Sequence, residues 1–430
     1  MHEKNKDMRY LLTFISVMLL MVSCKSDDDN QPVTEKAKRT VFIYMAGENN
    51  LSNFTSDDLQ EMISGVGSIP ANCRMLVFAD KADSKTKPFI AQITSNKQQP
   101  LDTLYKYPND PYTSDADNFR EVMERMMTLS PSDEYALILW GHGSGWVVEK
   151  DTIPGPSRRA YGVDNGINDP KSDNGKWMNI TQMARALEGL TPFKFIFADC
   201  CNMGCAEVGY ELRNATEYLI ASPAEIPGNG APYDKIMSSL FKSGSDMYRG
   251  IVDGYFNFYT DFYHQKSPIS VSGVGYENLD GFSVPLSVID TRYIAQLAER
   301  TRDVLSTIAP QYPNEPDLKG IPYYWQFDAP VMYDMKAYIQ RYASAADYTS
   351  WKQTFDLAVP YSRMSFKWMT IYYELYDTSF SQFDQTADCG CVSMFIPQNG
   401  TGYTSGSYAY NKYANNFGWN RVLNWSRFGW

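Results

Sequence analysis

The sequence predicts an α/β fold in which a mostly parallel β-sheet is flanked by helices. Short apolar runs alternate with amphipathic segments, an order typical of parallel sheets. Two of these runs end in chemically useful residues: one leads into a glycine-rich turn around His142, the other into Asp199, Cys200 and Cys201. Because open α/β sheets place reacting groups at the carboxyl ends of their strands, we expect a functional site there.

The elements before residue 280 follow from the spacing of their apolar residues. The expected strands are Arg39–Met45, Cys73–Asp80, Tyr135–Trp140, Phe195–Ala198 and Tyr218–Ala224, with an edge hairpin between residues 81 and 107. The expected helices are Phe54–Val66, Asp117–Leu129, Asn179–Gly189, Tyr233–Lys242 and Asp246–Gln265. A further helix is expected directly after Cys201, whose thiolate would gain from the N–H groups and dipole of the helix start.

After residue 280 the sequence is aromatic and less periodic. Asp290 is expected to cap a helix with one apolar face, made of Ile294, Leu297, Ala298, Val304, Leu305 and Ile308. Gly390–Pro397 predicts a further strand. The predicted organisation is a targeting segment at 1–23, a tether at 24–38, an α/β domain at 39–280 and a C-terminal α+β subdomain at 281–430.

The first 23 residues have the features of an export signal. A basic start precedes the apolar run Tyr10–Val22, which is shorter than the ~20 residues of a membrane-spanning helix. The run ends in Met-Val-Ser-Cys and resembles a bacterial lipoprotein signal, which implies cleavage before Cys24 and its lipidation. Plain secretion with a free Cys24 is the alternative.

The tether at 24–38 is polar and contains three consecutive aspartates, so it is not expected to bury a core. The acidic run resembles the surface-export signal of some Gram-negative lipoproteins, and an ordinary solvated linker is the alternative. The predicted location is therefore outside the cytoplasm, anchored to a membrane through the lipid, at the outer membrane or the cell surface.

Composition narrows the expected partners. The net charge of −11 and the absence of a basic patch argue against nucleic acid. No apolar run after residue 23 is long enough for a transmembrane helix. Cys200, Cys201 and Cys205 match no common zinc pattern and have no histidine nearby, so no metal site is predicted at them. We expect the cysteines after Cys24 to remain mostly free thiols.

A cysteine nucleophile requires a base, and the few histidines limit the choice. The chain has three histidines, of which His2 lies in the export signal. His142 lies at a strand end and is better placed than His264. The alternative is that the cysteines are small hydrophobic residues of the core.

The two turns resemble the clostripain family of cysteine peptidases. The resemblance lies in Leu-Trp-Gly-His-Gly-Ser-Gly-Trp at 139–146 and in Asp-Cys-Cys-Asn-Met-Gly-Cys-Ala-Glu-Val-Gly-Tyr-Glu-Leu at 199–212. It extends from about Arg39 to the C-terminus and is strongest at these motifs. It implies a caspase-like fold and a peptidase domain at 39–280.

The resemblance also implies a role for each site residue. Alignment of the Glu-x-x-Tyr-Glu-Leu ends places the nucleophile on Cys201, and not on Cys200 or Cys205. His142 would then activate the thiol and protonate the leaving amine. The backbone amides of Gly143 and Cys201 would form the oxyanion hole.

Asp199 precedes Cys201 by two residues, so on a strand both side chains point to the same face. A carboxylate beside the pocket for P1, the substrate residue before the scissile bond, favours Arg or Lys there. The alternative is that Asp199 caps the following helix. Some family members carry a further acid in the loop after the next strand, where this chain has Asn229, so the basic preference stays open.

Residues 147–176 are charged and rich in glycine, proline, aspartate and asparagine, which predicts an exposed loop beside His142. The acidic and amide side chains suggest calcium, which some family members need, but no EF-hand pattern is present and no cofactor is certain. Arg159 and Ala160 resemble the place where family members cut themselves into two chains. Arg158 and Lys150 are alternative positions for the cut.

These features predict an exported cysteine endopeptidase of the clostripain type, made as a zymogen and acting on protein or peptide substrates. The alternative is a non-catalytic surface lipoprotein that binds glycan or protein, for which an aromatic content of 14% would be suitable. The same aromatic content would suit a large core.

Overall fold

The structure is a computed structural model that describes residues 35–83, 85–147, 160–165, 175–265, 280–312, 317–325, 330–369, 387–397 and 415–428, with the backbone of 269–271, 274–276 and 378–379. The predicted export signal, Cys24 and most of the tether lie outside these residues. All elements from residue 37 onward belong to one compact unit, Ala37–Trp430. Among the described helices, none combines the length and the hydropathy that crossing a bilayer requires.

The secondary structure alternates between strands and helices along most of the chain. The strands are β1 (Ala37–Gly47), β2 (Cys73–Lys81), β3 (Phe89–Ile93), β4 (Leu101–Lys106), β5 (Ser132–Trp140), β6 (Tyr161–Asp164), β7 (Lys176–Met178), β8 (Ile196–Asp199), β9 (Tyr218–Ala221), β10 (Ile269–Val271), β11 (Val274–Tyr276), β12 (Leu286–Asp290), β13 (Tyr333–Asp334), β14 (Tyr361–Arg363), β15 (Lys367–Trp368), β16 (Thr378–Ser379) and β17 (Ser393–Met394). The α-helices are α1 (Ser52–Gly65), α2 (Ala116–Leu129), α3 (Ile180–Ala186), α4 (Ala206–Glu211), α5 (Tyr233–Leu240), α6 (Gly244–Gln265), α7 (Thr291–Ile308), α8 (Met335–Tyr342), α9 (Ala345–Ala358) and α10 (Gly418–Leu423).

Nine strands form one sheet in the order β14-β12-β9-β8-β5-β1-β2-β3-β4. The five central strands, from β9 to β2, run parallel. Antiparallel pairs complete both edges, with β3 and β4 on one side and β12 and β14 on the other. The predicted α/β class, the mostly parallel sheet and the edge hairpin are confirmed.

Helices cover both faces of the sheet, because alternate strand residues point to opposite sides. Phe42 and Tyr44 of β1 pack in one core with α2, α3, α4 and α7 to α10. Val41 and Ile43 pack in the other with α1, α5 and α6. Burial on both faces explains why the central strands are continuous apolar runs in the sequence.

Much of the aromatic content belongs to these cores. The largest fully buried side chains include Trp140, Trp351, Trp368 and Trp419. The aromatic composition therefore needs no glycan-binding surface to explain it.

The helix expected directly after Cys201 is the main local error of the sequence prediction. Asn202 has a φ of 62°, in the left-handed region, and its N–H donates to the carbonyl of Ala224 at 2.9 Å. Gly204 N–H donates to the carbonyl of Ser222 at 2.7 Å. These bonds hold the chain beside the end of β9, so α4 begins only at Ala206 and is six residues long.

The segment after residue 280 extends the same sheet through β12 and β14. The predicted helix after Asp290 is confirmed as α7, and the Asp290 carboxylate accepts a hydrogen bond from Arg292 N–H. The strand expected at Gly390–Pro397 is shorter, because only Ser393 and Met394 pair, and they pair with β13 outside the main sheet. A separate subdomain beginning at 281 remains a prediction.

Candidate active site

The carboxyl ends of β5 and β8 bring the two predicted turns together. These strands are parallel neighbours, and Trp140 of β5 is paired in register with Asp199 of β8. His142 and Cys201 each follow two residues after that pair. Both line one pocket of about 220 Å³, together with Gly143 and Asp199. The structure thus places the predicted histidine, cysteine, glycine and aspartate at one site.

Glycines allow the two turns to approach each other closely. A Cβ atom at Gly143 would lie 2.6 Å from the carbonyl oxygen of Cys201 and 3.1 Å from Cβ of Cys200. Gly145 has a φ of 58°, and a Cβ there would lie 2.4 Å from the carbonyl oxygen of Asn202. A larger residue at either position would separate the histidine turn from the cysteine turn.

The three neighbouring cysteines have different environments. Cys200 and Cys205 are fully buried in the core, and burial raises the pKa of both thiols well above the usual value. Cys201 is partly exposed and lines the pocket. Because a thiol must reach the substrate and ionise to act as a nucleophile, Cys201 is the one of these three that fits the role.

Cys201 has a backbone donor that the sequence did not reveal. The N–H group of Ile226, in the loop after β9, lies 3.4 Å from Cys201 Sγ. Such a donor stabilises a thiolate. It therefore has the effect that the sequence analysis assigns to a helix directly after Cys201. All six cysteines within the described residues are free, as predicted.

The imidazole of His142 is held from two sides. Its Nε2 lies 2.6 Å from Oδ1 of Asn50, in the turn after β1. Its ring packs against the indole of Trp177, with ring centroids 5.9 Å apart. If Asn50 accepts a hydrogen from Nε2, then Nδ1 of the neutral ring is the nitrogen that can take up a proton.

The strand β6 runs beside the histidine turn. Ser144 N–H donates to the carbonyl of Ala160, and Gly162 N–H donates to the carbonyl of His142, both at 2.9 Å. These bonds make the bridge between Gly143 and Tyr161 and do not use the amide of Gly143. Arg159, Arg158 and Lys150 lie outside the described residues, whereas Ala160 is fully buried.

Asp199 lines the pocket and is 2% exposed. Its Oδ2 accepts hydrogen bonds from Ala231 N–H at 2.9 Å and from the Tyr233 hydroxyl at 2.8 Å, and its Oδ1 accepts one from the Tyr255 hydroxyl at 3.2 Å. Burial raises the pKa of Asp199 to about 6, and these hydrogen bonds oppose the shift. Asp199 does not cap α4, which begins at Ala206.

A second buried carboxyl lies near Asp199. Asp58 of α1 is 1% exposed, and its Oδ2 accepts a hydrogen bond from the indole Nε1 of Trp140. Burial, followed by the negative charge of Asp199, raises the pKa of Asp58 to about 9. In the sequence, Asp58 follows another aspartate in an amphipathic helix and has the pattern of a solvent-facing residue.

A cluster of three carboxyl side chains outside the pocket is relevant to the prediction of calcium. Oxygen atoms of the buried residues Glu48, Asp80 and Asp164 lie within 4.8 Å of one another. Oxygen ligands suit calcium, but three carboxylates alone provide fewer ligand groups than the six to eight oxygens that calcium usually takes. Oδ2 of Asp164 also accepts a hydrogen bond from the Thr113 hydroxyl at 3.0 Å. Calcium remains a prediction.

Comparisons with family models and with solved structures point to the same protein family. The model of the clostripain family matches residues 43–430. A secreted C11 cysteine protease from Bacteroides thetaiotaomicron, solved with an irreversible peptide inhibitor, is 28% identical, with a TM-score of 0.73 over 91% of this chain and 100% of that one. An inactive zymogen C11 protease from Parabacteroides distasonis is 23% identical, with a TM-score of 0.69 over 90% of this chain and 98% of that one. Among curated proteins, none matches the chain significantly.

Proposed function

The chain belongs to the clostripain family of cysteine peptidases, and we propose that it is an endopeptidase whose catalytic pair is His142 and Cys201. One observation carries this assignment: both side chains line the same pocket, at the ends of neighbouring parallel strands. Membership of a peptidase family disfavours the alternative of a non-catalytic lipoprotein that binds glycan or protein.

The proposed reaction uses Cys201 as nucleophile. The Cys201 thiolate attacks the scissile carbonyl carbon, and the imidazolium of His142 then gives its proton to the leaving amine. An acyl-enzyme thioester remains on Cys201. A water molecule then attacks this thioester while His142 takes a proton from the water. The carboxylic acid product leaves, and the Cys201 thiolate and the His142 imidazolium are restored.

The oxyanion of each tetrahedral intermediate needs preorganised donors. We assign this role to the backbone amides of Gly143 and Cys201. The Gly143 amide is suitable because the bridge to Tyr161 does not use it. The close contact of Gly143 with the Cys201 carbonyl supports the assignment, since it brings the two turns side by side.

The pocket supports a preference for Arg or Lys at P1. Asp199 is a buried carboxylate among its lining residues, and a buried charge attracts an opposite charge strongly. Three hydrogen bonds fix the Asp199 side chain before a substrate arrives. The substrate cation would therefore meet a carboxylate that needs little reorganisation.

Replacement of Asn50 tests how the base is positioned. We expect Asn50→Ala to lower kcat about 10- to 100-fold with little change in KM, because the imidazole loses its partner at Nε2. Asn50→Asp keeps an acceptor and adds a negative charge, so the pKa of His142 should rise, and the basic limb of the kcat/KM profile, where the imidazolium loses its proton, should move to higher pH. Identical pH profiles for wild type and Asn50→Asp would contradict this role.

We propose that the segment 147–176 is cut by the enzyme itself, after Arg159. Intact-mass analysis should find two fragments in the wild type, the second beginning at Ala160, and one chain in Cys201→Ala. The fragments should stay associated, because β5 and β8 belong to one sheet. Ala160 is buried, and its carbonyl accepts a hydrogen bond from Ser144 N–H, so Ala160 must leave this position before the cut. Arg158 and Lys150 are the alternative positions.

A fully active wild type that remains one chain would show that self-processing is not required. Cutting that persists in Cys201→Ala would show that another protease performs it.

We propose that the mature protein is exported and anchored through a lipid on Cys24. Export is consistent with the solved relative of 28% identity, which is described as secreted. Labelled fatty acid should be incorporated into the wild type and not into Cys24→Ala. An unlabelled wild type, recovered from the medium, would show that the protein is secreted without an anchor.

A further inference from the structure

Asp58 is a buried carboxyl group that the proposed catalytic steps do not use. It lies on the inner face of α1, with Thr55 and Met62 as buried neighbours on that helix. It is 1% exposed. Burying a carboxyl group is costly unless it has partners, so its partners indicate what it does.

Two contacts relate Asp58 to the P1 pocket. Its Oδ2 accepts the indole N–H of Trp140, a residue that lines the pocket. A Cβ placed on Gly230 would lie 3.1 Å from Oδ2 of Asp58 and 2.8 Å from Oδ2 of Asp199. Both carboxyl groups thus approach the same side of Gly230, another lining residue. Their oxygens are at most about 6 Å apart, a distance at which one carboxylate opposes ionisation of another.

We propose that Asp58 and Asp199 form a carboxyl pair that determines P1 specificity. In this pair Asp58 is a positioning residue that holds the indole of Trp140 as one wall of the pocket, the Trp140 wall. Asp58 releases its proton to solvent when a lysine or arginine side chain enters. The proposal rests on the proposed preference for basic P1 residues and deepens it. Binding is balanced in charge: one cation enters the pocket and one proton leaves it.

The charges around Asp58 favour this exchange. Glu61 and Asp57 on its own helix add negative potential, as does Asp199 on β8. From the other packed elements, the hydroxyls of Tyr233 on α5 and Tyr255 on α6 donate to Asp199. The hydroxyl of Tyr259 on α6 donates to the carbonyl of Gly230. Within the part of the chain that the structure describes, the hydrogen bond that Asp58 accepts comes from the neutral indole of Trp140. In the free enzyme Asp58 therefore keeps its proton at neutral pH, and a substrate cation supplies the missing positive charge.

Two variants separate the charge of Asp58 from its hydrogen bond. Asp58→Asn keeps an oxygen that can accept the Trp140 indole N–H, whereas Asp58→Ala removes both functions. Peptides that differ only in P1, with lysine or its neutral analogue norleucine, report the charge alone. We expect Asp58→Asn to lower the lysine-to-norleucine ratio of kcat/KM about tenfold, mainly through KM. Asp58→Ala should lower the rate for both peptides, since the Trp140 wall loses its support.

The pH dependence gives a second readout. In the wild type, KM for the lysine peptide should continue to fall as the pH rises from 7 to 9, because Asp58 ionises more readily there. In Asp58→Asn this fall should be absent above pH 7. The norleucine peptide should show no such dependence in either protein.

Proton release can be measured without a change at Asp58. Calorimetric binding of the uncleaved lysine peptide to Cys201→Ala at pH 8, in two buffers of different ionisation enthalpy, should show release of close to one proton, and the norleucine peptide should show none. A wild type that prefers lysine, together with an unchanged ratio in Asp58→Asn or no proton release, would overturn the role of Asp58 alone. A wild type with no preference for lysine would overturn the basic P1 pocket and this proposal together.

Discussion

Cys201→Ala is expected to lower kcat for peptide hydrolysis by roughly four orders of magnitude or more, and His142→Ala by about 10²- to 10⁴-fold. Without the Cys201 sulfur there is no nucleophile for acyl transfer, and without the His142 imidazole the amine leaves unprotonated. The measurement is kcat and KM on a fluorogenic peptide with lysine at P1. Combining the two changes should cost little more than Cys201→Ala alone, because the residues act as a unit.

The matched control is Cys200→Ala, at the preceding position. Cys200 is fully buried in the core, so its loss should leave most of the activity and destabilise the fold by about 1–2 kcal/mol through the small cavity. Thermal unfolding of all variants would show that lost activity is not lost folding. An inactive but folded Cys200→Ala beside an active Cys201→Ala would contradict the assignment.

Asp199→Asn is expected to lower kcat/KM for peptides with lysine or arginine at P1 by about 30- to 150-fold. This corresponds to about 2–3 kcal/mol for a buried charge-assisted hydrogen bond. The asparagine has nearly the same shape and keeps one acceptor oxygen, so the pocket should stay intact. The norleucine peptide is the control, and its kcat/KM should change little. An equal loss for both peptides would indicate a structural role for Asp199.

The pH dependence of specificity follows from the same carboxylate. The pKa of Asp199 is raised to about 6, so its charged form is present above that pH and is lost as the pH falls through it. The ratio of kcat/KM for lysine over norleucine should therefore rise between pH 5 and pH 7. The titration of His142 and Cys201 affects kcat/KM for both peptides alike, so its effect cancels in the ratio. A flat ratio over this range would contradict the role of Asp199 in binding the cation.

The sheet and the main catalytic candidates were predictable because their signals are local. The central strands are buried on both faces, so each one is a short apolar run, and His142 and Cys201 directly follow two of these runs. Asp290, the predicted cap, occupies the N-cap position of α7, where its carboxylate accepts a hydrogen bond from Arg292 N–H.

The partners of the site residues were not predictable, because they come from distant segments. Asn50 reaches His142 across 92 residues, and Asp58 reaches Trp140 across 82. In the sequence, Asn50 is an ordinary turn residue. The donor to Cys201 is a backbone N–H, which any residue at position 226 other than proline would supply. The pattern of side chains in the sequence therefore contains no signal for this donor.

The turn after Cys201 shows a competition between local and tertiary preferences. Residues 203–212 have helix-compatible spacing, but the hydrogen bonds from Asn202 and Gly204 to the segment at the end of β9 keep the first part of this segment out of the helix. These bonds bring Cys201 near the loop that contains Ile226. Stabilisation of a Cys201 thiolate by a backbone N–H group is therefore expected from the loop after β9 and not from α4.

The most direct test of the central claim is to locate the cysteine that an irreversible peptide inhibitor with lysine at P1 modifies. The inhibitor would be applied at a molar amount no greater than that of the native enzyme, and the digested protein would be analysed by peptide mass spectrometry. The account predicts one adduct, on Cys201, whose formation follows the loss of activity and is abolished in His142→Ala. Inactivation that accompanies modification of Cys200, Cys205 or another residue, with Cys201 unmodified, would contradict it.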